Sequence, residues 1–91
     1  MQFDWDPEKA ARNEQWHDVS FEEACEAFDD DRAVELVDDA HSWNEQRFNL
    51  IGMTGGRLLF VVYTERLKGT VIRLISAREA DAEEEEIYYA S

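Results

Sequence analysis

The sequence predicts an α+β domain, and three observations predict it. Apolar residues recur at helical spacing at Phe21, Ala24, Cys25 and Phe28, and an acidic tail places Ala80, Glu84, Ile87 and Tyr88 on nearby turns. Between these two regions, β-rich runs alternate apolar and polar residues with a period of two. Gly55-Gly56 and Leu67-Lys68-Gly69 separate those runs as turn signals, which implies consecutive hairpins and an antiparallel meander. The expected order is a short N-terminal strand, two helices, a four-stranded sheet and a C-terminal helix, all in one domain spanning residues 1–91.

Each element has a local reason. Gln2 to Asp6 reads as a short edge strand. Asp6-Pro7 then starts a helix, because aspartate caps and proline suits the first helical position. That helix is expected to run to about Gln15. Ser20 caps a second helix, Glu23 completes a capping box, and Val19 staples onto Ala24. Asp29-Asp30-Asp31 ends it. Strands follow at Ala33 to Val37, Glu45 to Met53, Leu58 to Thr64 and Thr70 to Ser76, the third of them the most apolar and expected at the centre. His41-Ser42-Trp43-Asn44 reads as a loop, and Glu79 to Tyr89 as the closing helix.

Charge narrows the function classes. The chain carries 22 acids against nine bases, a formal charge of −13, which opposes global attraction to nucleic acid and favours a basic partner. Only Lys9 and Lys68 are lysines; acidity with scarce lysine also fits adaptation to high salt. The lone cysteine, Cys25, allows no intrachain disulfide and no cysteine-rich zinc site. No apolar run approaches a membrane span and no signal-peptide pattern opens the chain, so a cytoplasmic protein is expected.

Against this acidity stands Arg73-Leu74-Ile75-Ser76-Ala77-Arg78, a strand pattern armed with guanidinium groups suited to phosphate. Arg73 and Arg78 are five apart, so in one extended strand they face opposite sides unless a bulge near Ser76-Ala77 intervenes. The competing reading for Arg73 is a cross-strand ion pair with Glu45 or Glu65. Tyr63 and Glu65 share a strand face, where a phenol beside a carboxylate can position a base, or simply form a cross-strand pair. Trp16 is a stacking platform or a partner-binding anchor, whereas Trp5 reads as core and Cys25 as buried and inert. The Glu83 to Glu86 run reads as a solvated helix face or as a complement to a basic segment.

Six segments in order carry a resemblance. Phe3-Asp4-Trp5-Asp6-Pro7-Glu8-Lys9-Ala10-Ala11-Arg12-Asn13, His17-Asp18-Val19-Ser20-Phe21-Glu22-Glu23-Ala24, Phe28-Asp29-Asp30, Glu45 to Gly52, Tyr63-Thr64-Glu65-Arg66 and Ile72 to Arg78 together resemble the BrnT family of bacterial and archaeal toxins. The resemblance implies a RelE-like fold and the toxin half of a type II toxin–antitoxin pair. It further implies a metal-independent ribonuclease that halts translation, with RNA as substrate and no cofactor. The implied partner is a BrnA-like ribbon-helix-helix antitoxin in a hetero-oligomer, with DNA reached only through that complex. Trp16 stands where the family usually has lysine, Asp18 where it has glycine, and the closing helix is acidic where the family's is basic.

Metal-free RNA cleavage needs a base for the 2′-hydroxyl, cations for the crowded phosphorane and an acid for the leaving 5′-oxygen. His17 is the candidate acid or base, with a helix-end histidine bonded to carbonyls as the competing reading. Arg73 and Arg78 are the main phosphate candidates; Arg47, Tyr63 and Glu65 support them, and Arg66 and Trp16 are candidates for RNA binding. The histidines and carboxylates show no metal-ligand spacing. Two functions remain open: the active ribonuclease, and a toxin-fold binding module that keeps only its antitoxin interface.

Overall fold

A computed structural model describes residues 1–41 and 45–91. Its order is β1 (Gln2–Asp4), α1 (Pro7–His17), α2 (Phe21–Ala27), β2 (Val34–Asp38), β3 (Arg47–Met53), β4 (Leu58–Arg66), β5 (Val71–Glu79) and α3 (Ala82–Ala90). A 3₁₀ turn at Asp39–His41 follows β2; the rest of the expected loop, residues 42–44 with Trp43, lies outside the described residues. The sheet order is β1-β5-β4-β3-β2, so the expected meander is present with β4 at its centre. The sheet has five strands rather than four, because β1 joins β5 in parallel through Gln2–Val71, Phe3–Ile72 and Asp4–Arg73. With β1 parallel to β5 and the other pairs antiparallel, the architecture is consistent with a RelE-like fold.

The helix starts follow local chemistry. Asp6 accepts from the Glu8 N–H, with Pro7 at the first helical position. α1 continues past the expected Gln15 to His17, because nothing breaks it before Asp18. There the backbone turns left-handed (φ 57°) and the Asp18 N–H reaches the Glu14 carbonyl. Ser20 caps α2 by accepting from the Glu23 N–H. The expected capping box is only half made: the Glu23 carboxylate goes to Arg57 instead. A full box forms at α3, where Asp81 and Glu84 exchange bonds, so that helix starts at Ala82 rather than near Glu79.

α1 and α2 cover one sheet face. Val19, Phe21, Ala24 and Ala27 pack there on Leu50, Val61, Tyr63, Leu74 and Ala77, with Phe3, Trp5, Cys25 and Phe28 at the margin. Trp5 is the expected core anchor, edge-on to Phe21 at 5.8 Å. Burial pushes the Cys25 thiol up to about 11, which suits an inert side chain. The close approach of α2 requires Gly52, since a Cβ there would lie 2.5 Å from the Ala27 carbonyl oxygen. On the other face α3 covers only one end, with Tyr88 against Ile51 and Leu58. Tyr88 also donates to Asp30 at 2.5 Å, fastening the helix's far end. The rest of that face is open, and it holds the candidate site.

Candidate functional site

The open face is assembled by strand register. β3 and β4 pair Arg47 with Thr64, Asn49 with Val62 and Ile51 with Phe60. β4 and β5 pair Phe60 with Arg78, Val62 with Ser76 and Thr64 with Arg73, while Tyr63 faces Leu74. Ile75 has no partner in this ladder: it is an inserted residue, and the register shifts there. One extra residue reverses the alternation beyond it. Arg73 and Arg78 therefore share the open face, against the expectation for an unbroken strand. They stand roughly 15 Å apart along the strand, too far to hold one phosphate together.

A groove of about 420 Å³ runs over this face, lined by Arg47, Asn49, Phe60, Val62, Ser76 and Arg78, with Asp38 and Ile75 at its sides. Arg78 is clamped. Its Nη1 and Nη2 donate to the two Glu84 oxygens at 2.8 and 2.7 Å, and its guanidinium lies 4.5 Å above the Phe60 ring. The Glu84 bonds hold the Arg78 charge even more firmly than usual, against the desolvation of the pair. Glu84 is therefore the one member of the acidic run that does not face solvent: Glu83, Glu85 and Glu86 are exposed.

A second groove, about 280 Å³, opens between α1 and β5. Lys9, Arg12, Asn13, Trp16 and His17 line it from the helix, and Ile75 and Ser76 from the strand. The two grooves thus meet at the bulge. β1 pairs with β5 only as far as Arg73, which leaves the edge of β5 beyond it to α1. Asn13 closes that edge. Its amide nitrogen donates to the Ala77 carbonyl at 2.8 Å and the Val19 carbonyl at 2.9 Å, and its oxygen accepts from the Ala77 N–H at 3.0 Å. The end of α1 is held again by Arg57, which donates to the Asp18 carbonyl and pairs with Glu23 at 2.7 Å. These two ties set where His17 and Trp16 stand, both on the solvent side and Trp16 71% exposed.

The remaining candidates do not gather here. The Arg73 guanidinium turns to Asp4 on β1 at 2.7 Å, not to Glu45 or Glu65. Its partner came from the parallel strand, which sequence reading had not attached to β5. Arg66 lies at the far end of β4, 3.6 Å from Glu45. It lines a cavity of about 600 Å³ beside Leu67 and β1, which none of the other candidates lines. Tyr63 points into the core, wholly buried, stacked on Phe48 at 5.5 Å. Its hydroxyl donates to Glu35 rather than meeting Glu65, and burial pushes its pKa far up. The expected Tyr63–Glu65 pairing is corrected accordingly; Glu65 is exposed and opposite Ile72.

Sequence reasoning missed Asn13, Asn49 and Ser76 as parts of the site. The Asn49 oxygen is buried and makes no hydrogen bond among the described residues, although the side chain lines the groove. Asn49 alternates correctly with Arg47 in the sequence, and that signal could have placed it on the same face. Among the described residues, no three His, Cys, Asp or Glu side chains cluster as metal ligands, and no helix is long and apolar enough to cross a membrane.

The sequence pattern of one family, described as ribonuclease toxin, BrnT, of type II toxin-antitoxin system, matches residues 5–84. No curated protein matches the chain.

Proposed function

The chain belongs to the BrnT family of ribonuclease toxins of type II toxin–antitoxin systems, and from that premise we propose that it cleaves single-stranded RNA where its two grooves meet at Ser76. A toxin of this type has a cognate antitoxin; that partner is proposed to be BrnA-like, with a ribbon-helix-helix region that carries the pair to DNA. The proposed compartment is the cytoplasm, where cleavage halts translation. The observation that carries the assignment is the shared border at Ile75 and Ser76: it sets His17 on one side of a single strand and Arg47 and Arg78 on the other.

The chemistry divides between those sides. His17 takes the proton of the ribose 2′-hydroxyl. The 2′-oxygen then bonds to phosphorus, and the bond to the 5′-oxygen breaks, with a proton from solvent completing the 5′-hydroxyl product. Arg78 and Arg47 face the extra negative charge of the phosphorane, where fixed guanidinium donors count most. Asn49 offers an amide to a base or ribose in the groove. Tyr63 and Glu65 take no part in this scheme, and Arg73 contributes charge at a distance while paired with Asp4.

A second reading is favoured by one observation. Glu84 occupies both donor nitrogens of Arg78 that a phosphate would use, as expected of a toxin fold that keeps its antitoxin surface and cleaves little RNA. One assay separates the two. Purified protein is incubated with RNA and chelator from low to molar potassium chloride, beside Arg78→Ala and His17→Ala. Cleavage that falls at least tenfold in both variants supports the ribonuclease site. Absence of cleavage from folded protein, with antitoxin binding intact, supports the binding module.

A further inference from the structure

We infer that Lys9, Arg12 and Trp16 form a separate nucleotide subsite on α1, holding the stretch of single-stranded RNA that flanks the cleavage point. This deepens the ribonuclease reading and rests on it for the identity of the ligand. Charge is the first argument. Arg57, Arg66, Arg73 and Arg78 each have a carboxylate partner. Lys9 and Arg12 make no ion pair among the described residues, although the chain carries 22 acids. Glu8 lies one turn from Arg12, in the favourable spacing, and still does not bind it. Two cations left unneutralised one turn apart, both lining one groove, offer an anion local positive potential on an otherwise anionic surface.

Geometry is the second argument. Positions 9, 12, 13 and 16 fall on one stripe of α1. Asn13 spends its amide on β5 and so turns that stripe toward the strand edge. Trp16 then stands beside the two cations with 71% of its surface exposed, the largest ring so presented among the described residues. An exposed indole next to two cations matches an unpaired nucleotide, whose base stacks while its phosphates sit on the charges. The groove they line ends at Ile75 and Ser76, where the sheet-face groove begins. A strand lying in both would pass His17 as it crosses from one to the other.

Stacking on Trp16 persists at high ionic strength, where contacts to Lys9 and Arg12 weaken.

The test uses a fluorescent 2′-O-methyl oligoribonucleotide, which cannot be cleaved for want of a free 2′-hydroxyl, and fluorescence anisotropy with the full chain. Trp16→Ala is expected to weaken binding by roughly 5- to 100-fold, and Trp16→Phe to restore most of it. The double variant Lys9→Gln with Arg12→Gln is expected to lower the slope of log K against log salt by about 1.4. In cleavage, the same variants should raise KM and leave kcat within about twofold. Equal oligonucleotide affinity in wild type and variants would overturn the subsite, as would a loss of antitoxin binding with RNA affinity unchanged. Cleavage by wild type with KM unmoved in the variants would overturn the subsite and leave the ribonuclease reading standing. Oligonucleotide binding lost in the variants of a protein that cleaves nothing would sustain the subsite and remove the ribonuclease reading.

Discussion

Asn13 is the residue whose loss should cost this fold most for its size. It is 6% exposed and makes three hydrogen bonds to backbone groups, of Val19 and Ala77. Asn13→Ala leaves two carbonyls and one N–H facing each other without partners. Each orphaned buried group costs about 1–3 kcal/mol. Water entering the vacated space recovers some of that, so the expected loss is about 3–5 kcal/mol, a large share of the roughly 5–15 kcal/mol that holds a domain together. Urea unfolding followed by circular dichroism measures it, and the thermal midpoint should drop by at least roughly 12 °C. Asn13→Asp adds a sign test. Its carboxylate would keep the Ala77 N–H but press negative charge against two carbonyl oxygens, so folding favours its protonated form. Its folded pKa is therefore raised above the unfolded value near 4. Such a group is least harmful below that value, and the deficit grows as pH rises through the folded pKa. A loss under about 1 kcal/mol for Asn13→Ala, or an Asp deficit that shrinks with rising pH, would mean that something other than this amide fastens α1 to β5.

Three further outcomes are expected. Glu84→Gln keeps the acceptor for the Asp81 N–H but frees the charge of Arg78; RNA affinity at low salt should rise and its salt slope steepen by about 0.7, and no change in either would remove Arg78 as a phosphate seat. Gly52→Ala would drive a methyl to 2.5 Å from the Ala27 carbonyl and lift α2 from β3; chemical denaturation should register a loss of about 1–3 kcal/mol. In acid, the hydrogen bond from Arg57 holds Glu23 below the usual carboxylate range, and Asp30 is also lowered, burial pushing it up but bonds from Tyr88 and the backbone outweighing that. Lowered folded values mean stability present above about pH 4 and lost as pH falls through them. Thermal midpoints from pH 6 to 2.5 should decline over that range, and Glu23→Gln should decline less than wild type; parallel curves would show that the Arg57 pair carries none of the dependence.

Much of the fold was legible because its signals are local. Asp6-Pro7 and Ser20 start helices through bonds that span two or three residues, whereas the closing helix was expected from Glu79 and starts only after Asp81. Alternation marked four strands, though their ends shifted: β5 runs on to Glu79 because Arg78 and Glu79 still pair with Phe60 and Leu59. The candidate site was legible in part. His17, Arg47 and Arg78 do border the joined grooves. Tyr63 and Glu65 share a strand face as their spacing requires, but alternation cannot say which face looks into the core. Arg73 was legible as a cation with an ion pair as its competing reading but not with Asp4 as the partner, and Arg66 was legible as a cation and not as an ion-paired one.

The sequence by itself determined the type and order of the elements, the single buried face of α2, the acidity, and membership in a toxin family through residues 5–84. These depend on residues close in the chain or on a pattern kept in register along it. Only the tertiary structure decided that β1 lies parallel to β5, that the Ile75 bulge brings Arg73 and Arg78 to one face, and that Asp4 and Glu84 take those arginines. It also decided that Asn13 sets α1 against a strand 64 positions away. The reason is physical: a bulge reverses every side chain beyond it, and the partner of a buried charge or amide is whichever group packing delivers within about 3 Å. Neither is written in the spacing of neighbours.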